Sequence, residues 1–279
     1  MIDLHTHSTF SDGTYTPEAL VEEAARVGLS ALALTDHDTA GGLPRFLRAA
    51  ERKKVRCVPG LEISTTFDNK AMHILGYMIR HDDPALNARL AWLREGRTVR
   101  NREILQRLEA LGYKLTEEDV ARSAGEDVVG RPHVARALVK HGFAKNEEEA
   151  FERFLIRGRP AYARRRHYSP EESIEIIRAA GGVAVLAHPY ALRMATPALR
   201  KLLARLQEAG LGGLEVYYPL HPLPLQLELL ELAKELGLVA TGGSDFHGAL
   251  KPDIQLGRGF GPLRVPDEVL EELYARKAA

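Results

Sequence analysis

Short apolar runs, several of them rich in β-branched residues, alternate along this chain with longer stretches whose apolar residues recur at helical spacing. That alternation predicts a parallel sheet built from β/α units. The runs fall at residues 2–5, 31–34, 56–59, 72–77, 183–187, 213–217 and 238–241. Helix signals lie between them. Thr16-Pro17-Glu18 offers an N-cap, a proline at the first helical position and an acidic first turn, for a helix ending near Gly28. Ser169-Pro170-Glu171-Glu172 makes a capping box whose helix stops at Gly181-Gly182. From about 84 to about 162 the periodicity is helical, with Leu90, Leu93, Ile104, Leu105, Leu108 and Leu111 among its apolar positions, and no run reads as a strand. The expectation is an α/β fold in which residues 1–83 and 163–279 close together as one discontinuous domain, with 84–162 inserted as a helical subdomain.

Candidate chemistry gathers where the predicted strands end. His5 and His7 stand two apart after the first run, and alternate side chains of a strand share a face, so both imidazoles can approach one ion. His-x-His alone is a weak signal that reads more readily as a surface pair. Other metal-ligand types follow separate runs: Asp12 in Ser-Asp-Gly, His37 in Thr-Asp-His-Asp, Glu62 in Gly-Leu-Glu-Ile-Ser, His188 in Ala-His-Pro, and Asp245 with His247 in Gly-Ser-Asp-Phe-His; His73 opens the run at 72–77. Nearly all sit at the carboxyl side of strands, where a β/α barrel assembles its active site. One tetrahedral zinc would leave most of these nine residues unused, so two or three ions are expected, with Glu62 able to bridge neighbours. Imidazole suits zinc or iron, and the carboxylates admit manganese.

The run of His5-Thr6-His7-Ser8, Ser11-Asp12-Gly13, Thr35-Asp36-His37-Asp38, Gly60-Leu61-Glu62, Met72-His73, Ala187-His188-Pro189 and Ser244-Asp245-Phe246-His247 resembles the polymerase and histidinol phosphatase (PHP) domain. The resemblance implies a distorted seven-stranded (β/α)7 barrel with three metals. It implies that His5, His7, Glu62 and Asp245 bind a first ion, Glu62, His73 and His188 a second, and Asp12, His37 and His247 a third. The expected chemistry is phosphate-ester hydrolysis: in-line attack by a metal-bound hydroxide, with His188, Asp245 or His247 adjusting protons. Asp36 and Asp38 flank His37, either orienting ligands or simply making a turn.

For the substrate, Gly130-Arg131-Pro132-His133 opens a helix with a guanidinium fork in Arg131 and an imidazole in His133. These residues either meet a second phosphate or are a solvated arginine and a capping histidine. With Gly158-Arg159-Pro160-Ala161-Tyr162 the insertion resembles the branch of the family that removes the 3′-phosphate from nucleoside 3′,5′-bisphosphates and trims short RNA from its 5′ end. That likeness implies substrate contacts at Arg131, His133 and Arg159 and a lid over the site. The stretch 157–168 carries five arginines with Tyr162, His167 and Tyr168 among them, which suits a nucleotide or short strand or merely solvates a surface. His81, His141 and His221 read as surface or capping groups, and Trp92 as helix packing.

Composition narrows the partners. Thirty-eight basic and 38 acidic residues in 279 cancel, so no global field draws the chain to nucleic acid or membrane. Any such contact is local, and a phosphorylated small molecule, a nucleotide or a short oligonucleotide is the expected partner, with no obligate protein partner. Cys57 is the only cysteine, which excludes an internal disulfide. No apolar stretch nears the ~20 residues of a membrane span. With no basic and apolar leader at its start, the chain reads as cytoplasmic. Three rivals remain: a histidinol-phosphate or other small-monoester phosphatase, a barrel amidohydrolase, and a metal-binding module without catalysis.

Overall fold

The computed structural model describes residues 1–51, 53–122 and 128–278; residues 123–127, inside the predicted helical stretch, are thus outside the described part. Seven strands form one sheet in sequence order: β1 (Ile2–Asp3), β2 (Ala31–Leu34), β3 (Arg56–Phe67), β4 (Lys70–Tyr77), β5 (Val183–Leu186), β6 (Gly213–Tyr217) and β7 (Val239–Gly242). The sheet curls until its edges meet. Leu4 N–H donates to the Gly242 carbonyl, Asp245 N–H to that of His5 and His7 N–H to that of Phe246, which makes a nearly closed barrel.

The sheet is mixed, which corrects the all-parallel expectation. β1, β2 and β3 run parallel, as do β5, β6 and β7, but β4 is antiparallel to both neighbours. The cause is a two-residue turn. Asp68 and Asn69 both hold positive φ (48° and 62°), which closes a tight hairpin where a β/α crossover was expected. β3 also runs eight residues past its expected end, its polar Glu62, Ser64 and Thr66 alternating with Leu61, Ile63 and Thr65.

Outward-facing Leu32, Leu34, Leu61, Ile63, Ile74, Leu186 and Leu214 pack beneath the surrounding helices. These are α1 (Pro17–Arg26), α2 (Leu43–Ala50), α3 (Pro84–Ala110), α4 (Glu117–Ala121), α5 (Arg131–Lys140), α6 (Glu147–Ala150), α7 (Pro170–Ala179), α8 (Thr196–Glu208), α9 (Leu223–Glu235) and α10 (Glu268–Ala278). Thr16 caps α1 and Ser169 forms the capping box of α7, as their sequences predict. The inner face carries Ala31, Ala33, Val58, Leu75, Tyr77, Val183, Val185 and Val239, against which α10 packs Val269, Leu270 and Leu273. This apolar floor leaves the other end of the barrel for polar groups.

Between β4 and β5 the described residues form helices and no strand. α3 belongs to two cores: Leu86, Leu90 and Leu93 join the barrel core, whereas Ile104, Leu105 and Leu108 join a separate cluster with Val134, Leu138, Phe154 and Leu155. No helix among the described residues is long and apolar enough to cross a membrane.

Candidate metal centre

The nine residues singled out as ligands converge on one rim of the barrel. Glu62, buried at the inner face of β3, is the hub. Its Oε1 lies 2.8 Å from His73 Nδ1 and 3.1 Å from His188 Nε2; its Oε2 lies 3.0 Å from His37 Nδ1, 3.3 Å from His7 Nε2 and 3.4 Å from His5 Nε2. Five imidazoles around one carboxylate is more than a hydrogen-bond network requires.

Asp245 Oδ1 sits 3.2 Å from His7 Nε2 and 3.6 Å from His5 Nε2, and Asp12 Oδ1 lies 3.3 Å from His247 Nε2. Four groups offer ligand atoms close enough to hold an ion: His7, Asp12, His37 and His247; His5, His7 and Asp245; His5, Glu62 and His188; His37, Glu62 and His73. His7 belongs to two of them, whereas the resemblance gave it to one ion only.

A metal fits this donor set on an independent ground. His5 Nε2, His7 Nε2, Asp12 Oδ1, His37 Nδ1 and Glu62 Oε2 are all buried with no hydrogen-bond partner. A buried polar atom without a partner costs roughly 1–3 kcal/mol, so five converging in one place would be untenable unless cations complete their coordination. Electrostatics agree. Burial alone would push the carboxylates up, yet His37 and His247 hold Asp12, and His37, His73 and His5 hold Glu62, far below the usual range. Burial works against the charged His7 ring, but Asp245 and Glu62 raise it to about 9.

Local structure explains the convergence. Glu215, inward on β6, accepts from His5 Nδ1 at 2.8 Å and from the His188 N–H at 2.7 Å, so it turns the other His5 nitrogen to the centre. Asp36 receives Ser8 N–H, Ser8 Oγ and Ser11 Oγ at 2.6–2.8 Å and pins the loop that carries Asp12. Asp3 does the same for Ser244 ahead of Asp245. His188 and Asp245 hold positive φ of 24° and 55°, a conformation costly for non-glycine residues that re-aims side chains where strands end. Close approach is secured by glycine: a Cβ on Gly243 would lie 2.3 Å from His5 N, and one on Gly13 would lie 2.2 Å from the His7 carbonyl oxygen.

His73 reaches the rim by an unforeseen route. It sits early in β4, opposite Ser64, and because β4 is reversed, that early half lies beside the extended end of β3.

Beside the ligands opens a cleft of about 310 Å3 lined by Asp12, His37 and His73 on the barrel side and by Arg97, Arg100, Arg131, Arg157, Arg164 and Arg165 facing them. Asp38 anchors part of this array, accepting Arg97 Nε at 2.9 Å and an Arg165 amino group at 3.1 Å. Arg100 has no carboxylate partner among the described residues; its Nε is unsatisfied, and burial with repulsion from Arg97, Arg165 and Arg131 depresses its pKa strongly.

Of the three predicted substrate contacts, Arg131 lines the cleft, whereas His133 turns Nδ1 back to accept the Gly130 N–H at 2.8 Å and caps α5, and Arg159 is exposed and outside the lining. His221 is not a surface group: it is buried and bonds the Val216 carbonyl. Glu215, Arg97 and Arg100 escaped the sequence reading. A lone charge inside the apolar Gly-Leu-Glu-Val-Tyr strand was the available signal for Glu215; nothing in the helical pattern of α3 marks its two arginines as inward.

The sequence profile of the PHP domain family matches residues 3–180. A 3′,5′-nucleoside bisphosphate phosphatase of Chromobacterium violaceum is 37% identical over 88% of this chain and 87% of its own. The 5′-3′ exoribonuclease Rnm of Salmonella typhimurium is 36% identical over 92% and 88%. A solved structure from Bifidobacterium adolescentis, provisionally described as a metal-dependent phosphoesterase, superposes with a TM-score of 0.87 at 31% identity, covering 99% of this chain and 96% of that one.

Proposed function

The chain belongs to the PHP domain family, and from that premise we propose that it hydrolyses phosphate esters with bound divalent ions, removing the 3′-phosphate of nucleoside 3′,5′-bisphosphates and trimming short 5′-phosphorylated RNA. In this reading His5, His7, Glu62 and Asp245 hold one ion, Glu62, His73 and His188 a second, and Asp12, His37 and His247 a third, drawn from manganese, iron and zinc. The four overlapping ligand groups and the five unpartnered atoms support that assignment. When bound, the ions neutralise phosphate oxygens and activate water.

The chain's own residues orient the reaction. Tyr218 O–H and Lys251 Nζ donate to Asp245 Oδ2 at 2.9 and 2.8 Å, which leaves Oδ1 turned to His7. His188, Asp245 and His247 are the groups placed to hold or move a proton. Residues 84–162 act as a lid, a reading supported by Arg97, Arg100, Arg131 and Phe151 on the cleft wall.

The observation that carries the choice of substrate is the arginine array. A second phosphate beside the scissile one supplies the counter-charge that Arg100 lacks, and Arg97, Arg131 and Arg165 offer planar forks to it. Histidinol phosphate has one phosphate and leaves the array unused; an amide substrate leaves it without purpose.

The test is phosphate release from a nucleoside 3′,5′-bisphosphate, histidinol phosphate and an amide panel with added manganese. The bisphosphate is expected to be turned over at least a hundredfold faster than the others. Glu62→Gln is expected to lose bound metal and turnover together. Faster turnover of histidinol phosphate or an amide, or a metal-free Glu62→Gln protein of full activity, overturns the proposal.

A further inference from the structure

A second cavity of about 310 Å3 opens on another arc of the barrel rim, lined by Tyr218, Leu220, Asp245, Lys251, Ile254 and Phe260 among others. It shares no lining residue with the arginine cleft. The cleft touches Asp12, His37 and His73, on the β1 to β4 side; this cavity touches Asp245 and is lined by the segments that follow β6 and β7. The two flank the ligand set from different sides. They also differ in chemistry. The cleft is cationic, whereas this cavity is largely apolar, with Phe260 at 52% and Leu220 at 49% exposure in its lining; its charged groups are Lys251, which donates to Asp245, and Asp253.

We infer that this cavity receives the nucleoside on the far side of the scissile phosphate, and so equips the site for phosphodiesters as well as terminal phosphates. The inference rests on the function proposed above. In a nucleoside 3′,5′-bisphosphate the bond broken is P–O3′: water supplies the oxygen that joins phosphorus, O3′ leaves with a proton, and inorganic phosphate is released. In a 5′-phosphorylated RNA the same bond breaks with the same balance, one water adding hydroxyl to phosphorus and hydrogen to O3′. The only difference is that the phosphorus also carries the O5′ of the next nucleoside.

With the 5′-phosphate in the arginine cleft and the scissile phosphate at the ligands, that next nucleoside must leave the centre on a side the cleft does not occupy. The cavity begins there. An aromatic ring and an aliphatic wall accept any base by its π-face, and Lys251 stands where the strand's charge passes. Its size falls in the usual range for small-molecule sites, roughly 300–1,000 Å3. The product keeps a 5′-phosphate, so it returns as substrate for the next cycle.

The test compares kcat/KM for a nucleoside 3′,5′-bisphosphate and a 5′-phosphorylated dinucleotide in the metal-loaded enzyme and in Phe260→Ala and Leu220→Ala. Both side chains are half exposed and outside the catalytic set. The expected result is a loss of about tenfold for the dinucleotide, mostly in KM, with the bisphosphate changed less than twofold, and recovery in Phe260→Trp. Equal losses on both substrates, or none on either, overturn the inference. So does a wild-type enzyme that turns over the bisphosphate but no dinucleotide, which leaves the proposed function intact; wild-type turnover of neither removes that function itself.

Discussion

Arg100 carries a charge into a buried place where, among the described residues, an amino group donates to Asn101 Oδ1 at 3.2 Å but no carboxylate pairs with it, and that makes it a cost to the fold that a bound anion repays. A buried charge without an ionic partner carries a desolvation penalty, which an apolar side chain of similar length does not. Arg100→Met is therefore expected to raise the melting temperature of the ligand-free protein while raising KM for a 3′,5′-bisphosphate at least tenfold. Calorimetry and steady-state kinetics on the same preparation check the two signs; a destabilised variant of normal KM contradicts the assignment. The ligands themselves were legible from residue type and position because a β/α barrel builds its site where its strands end, and metal-binding residue types recur at those places in the sequence. Glu215 and the inward arginines were not, because a side chain's direction on a strand or helix depends on which face the fold covers.

At the scale of elements, all seven strands were visible as apolar runs, but the direction of β4 was not. Direction depends on the connection, and Asp68-Asn69 closes a hairpin without the glycine that usually marks one. The polar second half of β3 was hidden for a related reason: in a barrel interior near a metal centre, alternation is between ligand and core rather than water and core. α5 supplies a testable case of an end built from one side chain. Burial, reinforced by Arg136 and Arg97, lowers the His133 pKa to about 4. Its unfolded value is ~6.5, so the unfolded chain binds the extra proton between these limits. Stability from the neutral ring is complete above pH 6.5 and is lost as pH falls toward 4. Between pH 7.5 and 5 the wild type is expected to lose roughly 2 kcal/mol more than His133→Asn, whose amide oxygen keeps the cap but does not titrate. Urea unfolding in the presence of a chelator measures the difference; parallel pH profiles of the two proteins refute it.

For the whole molecule, bound ions and folding are linked, because the ligands come from the ends of β1, β2, β5 and β7 and from within β3 and β4 and meet only in the closed barrel. Each ion at a hundred times its dissociation constant adds about 2.7 kcal/mol. Adding manganese or zinc to chelator-treated protein is expected to raise the melting temperature by several degrees, and Asp245→Asn is expected to blunt that rise. An unchanged melting curve tells against a shared metal centre. The seam between β1 and β7 carries a further consequence. Asp245 N–H donates to the His5 carbonyl at 2.9 Å, so two ligands are stitched to each other at the junction that seals the cylinder. During synthesis the ribosome delivers His5 long before Asp245. The growing polypeptide therefore holds an incomplete trap until Asp245 has emerged, and hydrolytic power arrives only when that stave is in place.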